Sequence, residues 1–86
     1  MKIVFYNETA FNTFYDWTVA DKKIAKKIAA LIKDISRTPY DGIGKPEALK
    51  HELSGWYSRR INDEHRLIYK VENDTLTILS CKDHYE

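Results

Sequence analysis

Three β-rich runs near the end of the sequence constrain the fold most. Each consists mainly of β-branched, aromatic and long apolar residues, and they are WYSRRI (56–61), HRLIYKV (65–71) and TLTILSC (75–81). Short spacers rich in Asn and Asp separate these runs, and such spacers favour tight turns between antiparallel strands. The sequence therefore predicts three consecutive strands joined by two β-hairpins.

The part of the chain before residue 39 predicts one further strand and two helices. KIVFY (2–6) has the composition of a short strand, and Asn7 is placed to cap a helix over residues 8–18. Asp21 can cap a second helix over 22–37, in which Ile and Leu recur at the helical period. The order β-α-α-β-β-β predicts an α+β fold, with a single domain over the whole chain (1–86) and two helices packed on one face of a small antiparallel sheet.

A loop connects the second helix to the hairpins. All three glycines and the second proline fall within residues 40–55, which predicts irregular structure with one helical turn at Pro46–Lys50. Because side chains alternate between the faces of a strand, Leu67 should face the helices while Arg66 and Lys70 lie on the open face of the sheet. The loop is then free to fold over that open face.

Basic residues are concentrated in the middle of a chain whose formal net charge is only +1. Residues 22–70 contain twelve Lys or Arg and six Asp or Glu, whereas acidic residues predominate on both sides. A basic patch attracts phosphate groups, although a solvent-exposed helix face would give the same count. No apolar run is long enough for a membrane span, and no secretory signal or metal-ligand spacing occurs. We therefore expect a cytoplasmic protein without a metal site.

Several side chains able to act on a phosphodiester should gather on the open face. They come from the loop, the strands and the segment CKDHYE (81–86), and they are Glu47, Lys50, Arg59 or Arg60, Arg66, His84 and Tyr85. Cleavage of RNA by its own 2′-hydroxyl needs a base, an acid and cations beside the phosphate. A carboxylate, an imidazole with an unperturbed pKa of about 6.5, and Arg and Lys side chains supply these roles, and a tyrosine ring can stack on a base.

Each of these residues also has a purely structural interpretation. Glu47 follows a proline and could be an acidic residue in the first turn of a helix. The strand arginines could be exposed charges that protect a sheet edge, and a histidine near the end of a chain is usually solvated and inert. We interpret His51 and His65 as structural histidines. Residue patterns alone leave both interpretations of the open face possible.

At these same positions the chain resembles the YoeB/Txe family of bacterial toxins, within the wider RelE-like superfamily. The resemblance covers nearly the whole chain and is densest in RTPYDGIGKPEALKHELSGWYSRRINDEHRLIYKV (37–71), with a second match at CKDHY (81–85). It implies a small RNase-like fold and an endoribonuclease that cuts messenger RNA in the ribosomal A site. It also implies a cognate YefM-like antitoxin, frequent homodimers and no cofactor.

The resemblance further implies a role for each matching residue. Glu47 of the K-P-E motif would be the general base, and His84 would be the general acid. Arg66 of the E-H-R-L motif would stabilise the transition state, Lys50 would assist with phosphate charge, and Tyr85 would position the substrate. Three further matching residues are expected to bind RNA or to support the site, namely Arg59, Arg60 and Glu64.

Two acidic residues depart from the family pattern, Asp83 before the His-Tyr pair and Glu86 after it. By stabilising the imidazolium form of His84 they would move the pH optimum upward or weaken phosphate binding. They also leave open a degenerate member that only binds its antitoxin. The other alternative is a ParE-like toxin that inhibits a protein target such as gyrase, although relatives of that kind lack the Glu, His and Tyr set.

Overall fold

A five-stranded sheet and two helices form the framework of the computed structural model, which describes residues 1–84. The strands are β1 (Lys2–Phe5), β2 (Glu47–Ala48), β3 (Tyr57–Arg60), β4 (Arg66–Glu72) and β5 (Thr75–Ser80). The helices are α1 (Glu8–Ala20) and α2 (Lys22–Arg37), and a short 3₁₀ turn spans His51–Leu53. The predicted α+β fold, with two helices packed on the sheet, is confirmed.

Both helices begin where the sequence predicts. The Asn7 side chain accepts a hydrogen bond from the Ala10 N–H at 2.8 Å, and the Asp21 carboxylate accepts from the N–H groups of Lys23 and Ile24. Each cap contributes about 1 kcal/mol, because it satisfies N–H groups that have no partner within the helix. No helix among residues 1–84 has the length and apolar character needed to cross a membrane.

The core lies between α2 and the centre of the sheet. The apolar stripe of α2 packs Ile28, Leu31 and Ile35 against buried residues of the sheet and its connections, namely Ile61, Leu67, Tyr69, Leu76, Ile78 and Cys81. Trp17 of α1 packs at the border of this cluster, and its Nε1–H donates a hydrogen bond to the Cys81 carbonyl at 2.9 Å. Since Leu67 faces the helices, the alternate residues of β4 face the other side, as predicted.

Two tight turns connect the last three strands, and both were predicted. Between β4 and β5, Asn73 and Asp74 have φ angles of 52° and 55°, the left-handed conformation that a type I′ hairpin needs at both central residues. Between β3 and β4, the Asn62 side chain accepts hydrogen bonds from the N–H groups of Glu64 and His65. Asn side chains close turns in this way because they reach backbone groups two residues on.

The sheet is mixed, which corrects the predicted antiparallel sheet in one of its four strand pairings. Its strand order is β1-β5-β4-β3-β2, and β1 runs parallel to β5 with Lys2 opposite Thr75 and Phe5 opposite Ile78. The other three pairings are antiparallel. A tight turn fixes the relative direction of the two strands that it joins, whereas β1 is followed by two helices and its direction is set by the return path of the chain.

The segment predicted as a helical turn at Pro46–Lys50 contains strand β2 instead. Glu47 and Ala48 pair with Ser58 and Tyr57, which extends the sheet beyond β3. So short a segment cannot nucleate a helix by itself, and the sheet edge offers its backbone groups hydrogen bonds. The interpretation of Glu47 as a first-turn helix acid is therefore wrong.

Candidate active-site cleft

A cleft on the open face of the sheet brings together residues from distant segments of the chain. Its volume is about 460 Å³. Its lining residues are Lys45, Glu47, Ala48, Leu49, Lys50, His51, Ser58, Arg60, Arg66 and His84. Four cationic side chains, two imidazoles and one carboxylate therefore surround a single space, and this excess of cationic groups suits a phosphate-containing ligand.

Glu47 reaches the cleft because β2 lies at the sheet edge. Its cross-strand neighbour is Ser58, and residues directly opposite each other on adjacent strands share a face. The backbone N–H of Arg60 donates to the Gly44 carbonyl, which fixes the chain just before β2. Glycine is needed there because its φ is 80° and a Cβ would lie 2.9 Å from a methyl group of Leu31.

The turn before β4 fixes the guanidinium of Arg66 at the cleft wall. Arg66 is only 7% exposed, and its Nη1 donates hydrogen bonds to the carbonyls of Asn62 at 2.6 Å and His65 at 3.1 Å. A third, longer contact of 3.4 Å joins Nη1 to the Asp63 carbonyl. A cation that is already held in place can stabilise developing negative charge without the cost of reorganisation.

Backbone hydrogen bonds of Asp83 hold His84 beside Arg66. The Arg66 N–H donates to the Asp83 carbonyl, and the Asp83 N–H donates to His65 Nδ1, each at 2.9 Å. His65 is 8% exposed, and the centroid of its ring lies 4.9 Å from that of Trp17, so the prediction of a structural histidine is confirmed. The segment up to His84 is therefore attached to the sheet, although His84 itself is exposed.

Arg59 lies on the helix-facing side of β3, away from the cleft. It is 0% exposed, and each of its five N–H groups has an acceptor. The acceptors are the Asp34 carboxylate at 2.6 Å, the Tyr69 hydroxyl, and the carbonyls of Thr38, Asp41 and Ile43. Burial therefore contradicts the predicted contact between Arg59 and RNA, whereas the predicted support of the site stays a prediction.

The ion pair between Arg59 and Asp34 has electrostatic consequences. The hydrogen bond from Arg59 holds the pKa of Asp34 below its ordinary value, and the Ile43 N–H, at 3.0 Å from the same carboxylate, acts in the same direction. Burial raises the pKa of Tyr69, whose hydroxyl donates to the Pro39 carbonyl at 2.7 Å. The hydrogen-bond donors and acceptors of this buried cluster therefore hold the loop that leads to the cleft in one conformation.

The remaining predicted residues divide into two groups. Lys50 and Arg60 line the cleft as predicted, whereas Glu64 lies outside it, with its carboxylate 3.8 Å from His65 Nε2. Tyr85, predicted to position the substrate, and Glu86, predicted to perturb His84, lie outside the described residues. Within residues 1–84 no group of three or more His, Cys, Asp and Glu side chains is arranged to hold a metal ion.

Three polar residues that were not predicted to belong to a site also line the cleft, namely Lys45, His51 and Ser58. His51 is exposed, so its interpretation as a structural histidine is wrong. The available signal was its position next to Lys50 in a glycine-rich loop, where few apolar neighbours could bury a ring. Ser58 could be located through its alternation with Arg60 along β3.

Comparison with known proteins places the chain in a family. The sequence profile of the YoeB-like toxin of bacterial type II toxin–antitoxin systems matches residues 6–85. Toxin YoeB of Escherichia coli K12 is 52% identical over 85 residues, which is 99% of this chain and all of the relative. The YoeB/ParE toxin from Agrobacterium tumefaciens has a TM-score of 0.94 at 38% identity and covers 99% of this chain and 100% of its own.

Two Staphylococcus aureus structures are similar as well. A YoeB–YefM complex has a TM-score of 0.90 at 48% identity, and a YoeB dimer has a TM-score of 0.91 at 49% identity. Each covers 99% of this chain and 98% of the matching chain. The profile, the relatives and the fold agree along nearly the whole sequence, and the chain therefore belongs to the YoeB-like toxins of bacterial type II toxin–antitoxin systems.

Proposed function

We propose that this chain is an endoribonuclease toxin that cuts messenger RNA in the A site of the ribosome, and thus acts in the cytoplasm. The observation that supports this function is the convergence of Glu47, Arg66 and His84, from three distant segments, on one basic cleft. A carboxylate, a guanidinium and an imidazole around a space of this size are the groups that phosphodiester cleavage needs.

In the proposed reaction, Glu47 removes the proton of a ribose 2′-hydroxyl, and the 2′-oxygen attacks the adjacent phosphorus. The bond between phosphorus and the 5′-oxygen breaks, and His84 donates a proton to that oxygen. The products are a 2′,3′-cyclic phosphate and a 5′-hydroxyl. Arg66 and Lys50 stabilise the negative charge that develops on the phosphate oxygens, and Tyr85 positions the substrate by stacking. Since side chains take all these roles, the proposal requires no metal ion or cofactor.

The proposal includes a YefM-like antitoxin that silences the enzyme, and a homodimer. The Staphylococcus aureus relatives are a YoeB–YefM complex and a YoeB dimer, which supports both. The positive cleft favours an acidic antitoxin segment that covers His84 and folds on binding. Such a segment would compete directly with RNA for the four cationic side chains of the cleft.

Toeprinting of a translated message tests the mechanism. We expect the wild-type protein to give cuts in the A-site codon, and Glu47→Gln and His84→Gln each to reduce the cutting rate by about 10²-fold or more. Glu52→Gln is a matched control, because Glu52 is an exposed acid on the same loop that does not line the cleft. It should cut at the wild-type rate.

Two other results of the toeprinting experiment would contradict the proposal. Cuts that persist undiminished in both cleft variants would refute the assigned base and acid. An absence of ribosome-dependent cuts with the wild-type protein would refute the nuclease function and favour a toxin that acts by binding a protein target.

A further inference from the structure

Two aromatic rings and a lysine form a second cluster on the open face, outside the lining of the cleft. Tyr6, just after β1, is 60% exposed, and the centroid of its ring lies 5.9 Å from that of Trp56 with an angle of 80° between the planes. Lys70 Nζ lies 4.6 Å from the centroid of Trp56 and 3.7 Å from the Glu72 carboxylate. A T-shaped contact occupies at most one face of the Tyr6 ring, so the other face remains open to a ligand.

This aromatic cluster is continuous with the cleft. The carbonyl of Trp56 accepts a hydrogen bond of 2.9 Å from the N–H of Leu49, which lines the cleft. Trp56 precedes Ser58 by two residues, so it lies on the same face of the sheet at a distance of about 7 Å along the strand direction. Lys70 shares the open face with Arg66 on β4 by the same alternation. A ligand that extends out of the cleft along β3 therefore reaches the two rings.

The chemistry of the cleft and that of the cluster are complementary. Among residues 1–84 the cleft lining contains four Lys or Arg side chains but no Phe, Tyr or Trp, whereas the cluster contributes the exposed ring of Tyr6, the half-buried ring of Trp56 and one further cation. Proteins bind single-stranded RNA by combining a positive groove for the backbone with aromatic side chains on which bases stack. An apolar peptide would instead need a continuous apolar surface, and the cross-strand neighbours here include Lys70 and Thr77.

We propose that Tyr6 and Trp56 form a stacking subsite for an unpaired base of the RNA strand that occupies the cleft, with Lys70 beside an adjoining phosphate. This inference rests on the proposed ribonuclease function, because it assigns a further part of the same substrate site. Glu72 offsets part of the charge of Lys70, so the rings contribute more to binding than the cation does.

Fluorescence anisotropy with a short, labelled single-stranded RNA tests the subsite. All proteins carry Glu47→Gln so that the RNA stays intact. We expect Tyr6→Ala to raise the Kd by about 5- to 20-fold, the range for loss of one modest stacking contact, and Tyr6→Phe to keep the parent affinity. Tyr15→Ala is the matched control, since Tyr15 is an exposed tyrosine on α1, at 52%, and should leave the Kd unchanged.

Two further measurements separate stacking from charge. A single abasic nucleotide is moved along the RNA, and at one position it should weaken binding to the parent protein but not to the Tyr6→Ala variant. Lys70→Gln should reduce the slope of log Kd against log salt concentration by up to about 0.7, whereas Tyr6→Ala should leave that slope unchanged. Circular dichroism of each variant verifies that it is folded.

The outcomes distinguish this inference from the function on which it rests. An unchanged Kd for Tyr6→Ala overturns the subsite even if toeprinting confirms Glu47 and His84. Weaker binding of an antitoxin, with unchanged binding of RNA, also overturns it and identifies the cluster as a protein interface. If the wild-type protein neither binds nor cuts RNA, the subsite and the proposed function are both refuted.

Discussion

Arg59 and Arg60 are adjacent in the sequence, but their side chains lie on opposite faces of β3. Arg59 faces the helices, is completely buried, and donates five N–H groups to fixed acceptors. Arg60 faces the cleft and is exposed. A buried guanidinium must be fully paired because an unpaired buried charge is very costly, whereas an exposed one keeps its N–H groups available to a ligand.

The two sides of β3 are nevertheless connected. The buried cluster around Arg59 fixes the carbonyls of Thr38, Asp41 and Ile43, and this loop continues directly into Lys45 and β2. Gly42 belongs to the same arrangement, since a Cβ at that position would lie 2.1 Å from an Asp34 carboxylate oxygen. One face of β3 thus fixes the loop from which the cleft on the other face receives the carboxylate of Glu47.

Arg59→Met should have the largest effect on stability. Removal of the guanidinium leaves the Asp34 carboxylate without its main partner, and breaking a buried pair from one side costs about 3–5 kcal/mol in the free energy of unfolding. Urea denaturation measures this loss. A loss below about 1 kcal/mol would contradict the prediction and would mean that Arg37, whose Nη2 lies 3.0 Å from Asp34, replaces the lost partner.

Low pH should weaken the ion pair between Arg59 and Asp34. The sign of this pH dependence follows from the lowered pKa of Asp34. Ionised Asp34 stabilises the fold at every pH above its ordinary pKa of 3.8, and this contribution is lost as the pH falls through the lower pKa of the folded state. The free energy of unfolding, measured with urea between pH 2 and 7, should therefore fall less at acid pH in Asp34→Asn than in the wild type. Asp16→Asn, which changes an exposed acid of α1, should keep the wild-type pH dependence.

His65→Phe should detach the segment that carries His84 while keeping a ring against Trp17. The Asp83 N–H then loses its acceptor, Nδ1 of His65. We expect the free energy of unfolding to fall by only about 1 kcal/mol, and the cutting rate to fall by about 10- to 100-fold because the acid is misplaced. Single-turnover kinetics should show this as a lower rate of chemistry at unchanged RNA affinity. An unchanged rate would mean that the bond from Arg66 to Asp83 suffices.

Arg60→Met should have the smallest effect on stability and so sharpens the comparison with Arg59→Met. Loss of an exposed side chain should change the free energy of unfolding by less than about 0.5 kcal/mol. If Arg60 contacts a phosphate, the slope of log Kd for RNA against log salt concentration should fall by about 0.7. Equal losses of stability in the two variants would refute the division between the two faces.

Local patterns in the sequence predicted the elements whose structure is determined locally. The caps Asn7 and Asp21 marked the helix starts, and Asn73-Asp74 marked the type I′ turn. Alternation along β4 placed Leu67 and Arg66 on the correct faces. The direction of β1 and the existence of β2 depend on pairing with distant strands, and no local pattern contains that information.

The burial of Arg59 had a signal that the sequence analysis did not use. Tyr57 and Ile61 share its parity along β3, and Asp34 falls beside Ile35 on the apolar stripe of α2. A charged residue among apolar neighbours on each of two facing elements indicates a buried ion pair. For His84, by contrast, the residue pattern placed it on the open face but did not decide between a functional and a solvated, inert histidine, because the hydrogen bonds that hold its segment depend on the folded position of His65.

The parallel pairing of β1 with β5 has a consequence for folding and solubility. Lys2 pairs with Thr75, and because contacts between residues so far apart in sequence form slowly, we expect this pairing to follow the two hairpins in folding. Until then β5 is an edge strand, and its segment TLTILS is β-rich and carries no charge, a composition that favours intermolecular strand addition. We therefore expect docking of β1 to protect the folding chain against aggregation, and variants that weaken this four-residue strand should precipitate during refolding.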